Sequence, residues 1–211
     1  MASKNTYYVG SGGNSNYPDL TDIPSDILAA GDTTIVVTPG TYTPLTNAVL
    51  NDIGFVGVGN RDEIVIDGNM TIANTSSGTI TFENLTLTGT GASSAITGAV
   101  TKLGAASTPL HFRRCKIEST AVGIISHAES AFATTTKQIV LHDVDATGTD
   151  RATYSNANVD ISFSALNTVA NAYHTYGAGG VAIIGGPTVT ASTSGGSNVG
   201  NSTETVVALI S

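Results

Sequence analysis

Three stretches decide the reading of this chain: Ile80-Thr-Phe-Glu-Asn-Leu-Thr-Leu87, Leu110-His-Phe-Arg-Arg-Cys-Lys-Ile117 and Val140-Leu-His-Asp-Val-Asp-Ala146. Each alternates apolar and polar residues, the period of a strand with one buried face. Laid over one another, they align Phe82, Phe112 and Leu141 in one column and Leu85, Cys115 and Val144 in a second. Asn84, Arg114 and Asp143 then fall at a common bend, where Arg114 and Asp143 are expected to pair.

Related runs lie on both sides: Ile35-Val-Val37, Ile53-Gly-Phe-Val56, Ile161-Ser-Phe-Ser-Ala-Leu166 and Val181-Ala-Ile-Ile184. Taking Val37, Phe55, Phe82, Phe112, Leu141, Phe163 and Ile183 as equivalent, the separations are 18, 27, 30, 29, 22 and 20 residues. A helical repeat of fixed length would not vary so much. A β-solenoid can, because its coils keep strands in register while the loops between them change length. One coil cannot bury its apolar side alone, and stacking at about 4.8 Å closes a core and pairs the backbone between coils. About six or seven coils at that spacing make a rod about 30 Å long. An antiparallel β-sandwich also has short strands and Gly-rich turns but does not require the aligned columns.

The helix signal is Asp22-Ile-Pro-Ser-Asp-Ile-Leu-Ala-Ala-Gly31, with acids and Pro24 early and Gly31 at the end. The expected organisation is a strand and helical cap over residues 1–32, a parallel β-helix over 33–190, and a polar linker and C-terminal strand over 191–211. Ile23, Ile27 and Leu28 are expected to close the N-terminal end. Glu204-Thr-Val-Val-Ala-Leu-Ile-Ser211 must dock on the final coil near Val181 to Val189 or on a neighbouring subunit; the long Gly/Ser linker before it favours the neighbour.

A resemblance to a known family now has residues to rest on. Gly31-Asp-Thr-Thr-Ile-Val-Val-Thr-Pro-Gly-Thr-Tyr42, Ile53-Gly-Phe-Val-Gly-Val-Gly-Asn60 and Glu63-Ile-Val-Ile-Asp-Gly68 resemble the opening coils of pectin-lyase-like right-handed parallel β-helix proteins. Ile80 to Gly89 looks like their following coil. The resemblance covers residues 5 to 150 and implies the fold class: all-β, a short right-handed parallel β-helix with an N-terminal helical cap. It does not select an activity, because the superfamily spans lyases, hydrolases and non-catalytic phage proteins.

The composition narrows the partners. A net charge of −8 with only 8 Lys and Arg argues against a phosphate-backbone binder. Arg113, Arg114 and Lys116 are the one basic cluster. No run approaches membrane-spanning length, and Met1 to Tyr8 lacks the apolar stretch of a secretory signal. Cys115 is the single cysteine, which excludes an intrachain disulfide and a Cys-based zinc site, and its neighbours mark it as a buried small hydrophobe.

The densest titratable group is His142, Asp143, Asp145, Asp150 and Arg151. In a lyase, a carboxylate cluster would hold calcium while Arg or Lys abstracts a proton; in a glycosidase, facing carboxylates would act as acid and base. Here too few carboxylates share one face. Glu83 over Arg113 and Lys116 over Asp145 read better as a charge ladder on a solvated sheet. His111, His127 and His174 have no partner at metal-ligand spacing. Tyr154, Tyr173 and Tyr176 could form a sugar-stacking platform, though edge tyrosines or subunit contacts explain them as well. No catalytic, cofactor or metal residue is therefore assigned. No secretory signal, no convincing catalytic set, few charges and a rigid rod together favour a structural protein of a bacteriophage virion, made in the host cytoplasm, and the resemblance to phage proteins of this fold implies a homotrimer. A capsid decoration protein on the major capsid protein is expected, because 211 residues leave little room for the attachment and trimerisation domains of a tailspike. The alternatives are a tail fibre or tailspike-type protein, a polysaccharide lyase or hydrolase, and a sugar-binding module.

Overall fold

A computed structural model describes residues 5–90, 98–103, 108–120, 122–127, 137–148, 151–155, 158–162, 164–168, 171–175, 181–184, 188–191 and 206–209. The chain winds as an all-β right-handed solenoid whose coils lay successive strands on three parallel sheets. Among the described residues, the first sheet has nine strands, from Asn5–Val9 through Thr33–Val37, Asn51–Gly57, Ser77–Glu83, Leu110–Arg113, Lys137–His142, Asn158–Ser162 and Val181–Ile184 to Val206–Leu209. The second has seven, from Gly40–Tyr42 to Thr188–Ala191, and the third five, from Met70–Ile72 to Asn171–Thr175. Nine strands at about 4.8 Å put the ends of the first sheet about 38 Å apart.

Alternation and burial agree. Ile35, Phe55, Phe82, Phe112 and Leu141 occupy one register position on successive coils, and all are fully buried. Phe55, Phe82 and Phe112 stack with ring centroids 5.4 and 5.0 Å apart and planes tilted by only 10°. Parallel in-register pairing imposes this, since equivalent side chains must lie one strand spacing apart. The second column continues past Leu85, Cys115 and Val144, because the Ser164 hydroxyl accepts the Val144 N–H at 3.1 Å.

The register corrects two assignments. Ile35, not Val37, stands against Phe55, and Ile161, not Phe163, stands against Leu141. Both errors are slips of two residues, which leave every side chain on its own face and so cannot be seen in alternation alone. Phe163 itself lies outside the described residues. The third sheet leaves no aligned column in the sequence, because its strands, such as Gly98–Leu103 and Val122–His127, follow segments of very different length.

At the N-terminal end, Leu20–Asp22 forms a 3-10 turn and Ser25–Ala29 a short helix, and Gly31 leaves it at φ +79°. That conformation costs glycine least, which explains the residue chosen there. Leu20, Ile23 and Leu28 join the buried core and Ile27 packs against it in part. These residues are apolar packing positions, but the helix lies against strand Asn51–Gly57, and the edge of the first sheet is strand Asn5–Val9. At the other end, Val206–Leu209 pairs in parallel with Val181–Ile184 of the same chain. The reading that favoured a neighbouring subunit is corrected: reach alone does not choose a partner when an adjacent edge in the same chain offers the same backbone bonds.

Candidate functional site

The outer surface where the first sheet turns into the second carries Arg61, Glu83, Arg113, Arg114, Lys116, Asp143 and Asp145. Asn84, Arg114 and Asp143 take φ values of +56°, +50° and +55°, so each bends the chain in the left-handed region at the same place in its coil. Asparagine and aspartate tolerate this conformation better than most residues; arginine does so only where the fold requires it. The Asn84 side-chain amide donates to the carbonyls of Gly57 and Gly59 at 3.0 and 2.9 Å and so bonds its bend to the preceding coil.

The predicted registers hold, with Glu83 beside Arg113 beside His142, and Thr86 beside Lys116 beside Asp145. The expected ion pairs do not. Glu83 pairs with Arg114 at the bend, and Asp145 pairs with Arg61 from a turn two coils before Lys116. Arg61 also donates from Nη1 to the Cys115 carbonyl at 3.3 Å, and its own carbonyl accepts the Thr86 hydroxyl at 2.9 Å. Thr86 is small and buried, so the longer Arg61 side chain reaches past it to Asp145. Lys116, displaced from Asp145, pairs with Glu118 of its own strand at 2.9 Å, and that hydrogen bond holds its ammonium above the ordinary lysine value.

Of the titratable group read from the sequence, His142 and Asp143 are exposed at the end of one strand and the bend after it, and Asp145 begins the next strand. Asp150 lies outside the described residues, and Arg151 starts strand Arg151–Ser155, against Val122 and Asn171. His111 is half-buried between Thr81 and Val140, and the backbones of His127 and His174 lie in third-sheet strands. Tyr154 stands against His174 and Tyr173 against Thr153, one position out of step, whereas a stacking platform needs them in register. Tyr176 lies outside the described residues. Among the described residues, no three His, Cys, Asp or Glu come together as metal ligands would, and no helix is long and apolar enough to cross a membrane.

No protein-family model matches this chain, and no curated protein matches it. Its fold does match solved structures. Escherichia coli YbhC superposes with a TM-score of 0.55 at 11% identity, over 88% of this chain and 65% of that one. This chain is a parallel β-helix. A pectin methylesterase from Aspergillus niger gives 0.48 at 14% identity, over 99% of this chain and 92% of that one. The chain thus spans just under two thirds of YbhC, and identity this low speaks to fold alone.

Three side chains matter that the sequence reading did not single out. Arg61 sits 84 residues from Asp145, and no local spacing announces that pair. Asp19 caps the Leu20–Asp22 turn and also accepts from the Thr43 N–H and hydroxyl at 3.1 Å. Burial pushes its carboxyl up, but the bonds from Thr43 and Thr21 outweigh that and hold it below the usual carboxylate value. Lys102 is buried in the third sheet between Ile72 and Ser126, and that burial pulls its ammonium down. Cys115 behaves as read from its neighbours: it is fully buried, and burial pushes its thiol up to about 11.

Proposed function

We propose that this chain is a non-catalytic structural protein of a bacteriophage virion, acting as a homotrimeric capsid decoration protein on the major capsid protein. The observation that carries the reading is the placement of its charge. Arg61–Asp145 and Arg114–Glu83 tie coil to coil along the rod, so these charged side chains brace the stack instead of converging on a cleft. Charges laid along the stack in this way suit a structural surface better than a site built for chemistry. On the outer face of the first sheet, Tyr8, Val36 and Val56 form an apolar column in register, with Tyr8 46% exposed. Such a column suits a protein contact.

The test has two arms. Light scattering after gel filtration should give three times the chain mass, and gold-labelled antibody should decorate the capsids of particles from cells that carry the gene. Label confined to tails would replace decoration by a tail role. Turnover of polyuronate or capsular polysaccharide, abolished by Asp145→Asn, would replace the structural reading by a carbohydrate-active one.

A further inference from the structure

The edge of a β-sheet is a template for another strand unless something blocks it. Strand Asn5–Val9 is the N-terminal edge of the first sheet, and Val206–Leu209 is the edge strand at its other end. All nine strands run parallel, so a second copy placed head to tail would continue the same ladder. Such a contact does not close on itself and would grow into filaments.

In a parallel ladder, alternate residues turn their N–H and C=O groups to the same side. Asn5 and Val9 bond inward: the Asn5 N–H donates to the Asp32 carbonyl, and the Val9 carbonyl accepts the Thr38 N–H. Thr6 and Tyr8 therefore face the open side. At Tyr8 that side is already filled by the chain itself. The Tyr8 N–H donates to the Asn16 side-chain oxygen at 2.7 Å, and the Tyr8 carbonyl accepts the N–H groups of Asn16 and Tyr17 at 2.8 and 3.1 Å. Tyr17 lies against Val9 as an isolated parallel bridge, too short to offer an edge of its own.

The turn that does this is held at several points. Gly10 donates to the Tyr17 carbonyl at 3.0 Å, and a Cβ on Gly10 would fall 1.9 Å from the Thr38 hydroxyl. The Tyr17 ring packs on Tyr7 with centroids 6.3 Å apart, and Asp19 fastens the end of the turn to Thr43. We infer that the Gly10–Tyr17 turn is a plug that mimics one short added strand and thereby stops the sheet from growing end to end with further copies of this chain. This goes beyond the decoration reading, since the plug acts at the rod's end whatever its flanks bind.

Asn16→Ala removes the side-chain acceptor without touching the core, and Gly10→Val prevents the turn from closing. Both variants should keep the β circular dichroism of the parent but sediment as a series of larger species whose size rises with concentration, while the parent stays one discrete species. Adding Tyr8→Pro to Asn16→Ala removes the N–H needed at this edge and should restore the discrete species. Sedimentation of both single variants like the parent would overturn the inference. So would growth that persists with Tyr8→Pro, since the contact would then lie elsewhere. Loss of the β signal in Asn16→Ala would overturn it too, because the turn would then hold the fold instead of shielding an edge.

Discussion

At the scale of single residues, the aromatic ladder carries the largest energies. Phe82 is fully buried between Phe55 and Phe112, so Phe82→Ala should destabilise the protein by about 3 to 5 kcal/mol in urea unfolding. This column was legible in the sequence because alternation marks inward positions and three bulky residues repeat at one offset. The ion pairs were not legible. Register shows which Cα atoms are neighbours, but side-chain length decides which charges meet, and Arg61 is long enough to displace Lys116 from Asp145. Asp19 gives a pH test. Its carboxyl is held below 3.8, so its contribution is fully present above that value and is lost as pH falls through the folded-state value. Asp19→Ala should lower the melting temperature at neutral pH, by an amount equivalent to about 1 kcal/mol for a lost cap. In strong acid, calorimetry should show the two proteins melting together.

Among elements, the bends and the ends distinguish what pattern reading captures from what it leaves open. Asn84, Arg114 and Asp143 could be placed at one bend because apolar columns flank them at fixed offsets on both sides. The C-terminal strand could be recognised from its β-branched run, but its partner could not, since two edges would satisfy the same backbone groups. Deleting residues 204–211 removes one strand from the end of a solenoid whose coils contact only their neighbours. The truncated protein should keep the oligomeric state of the parent and most of its melting temperature in gel filtration and calorimetry; loss of assembly would return the strand to an intersubunit role. Between coils, the Arg61–Asp145 pair has side chains 26% and 49% exposed, which limits its worth. A double-mutant cycle with Arg61→Ala and Asp145→Ala should give a coupling below about 1 kcal/mol that shrinks in high salt. A coupling several times larger would mean the brace is a buried network.

For the whole molecule, the fold follows from a division of labour within each coil: inward columns stack into one core, bends in the left-handed region turn the chain, and outward charges brace one coil to the next. The coil spacing is the direct consequence. Thr34, Thr81 and Val140 occupy one outward column, with Gly54 between the first two and His111 between the last two. Spin labels on cysteines placed pairwise at these positions would report the rise along the rod by electron resonance, because Cys115, buried and with its thiol pushed up to about 11, stays unlabelled. A parallel β-helix predicts separations of about 10 Å from Thr34 to Thr81 and about 19 Å from Thr34 to Val140, growing by one strand spacing per coil. Separations that fail to grow in that proportion, as in two facing antiparallel sheets, would contradict the stacked-coil architecture.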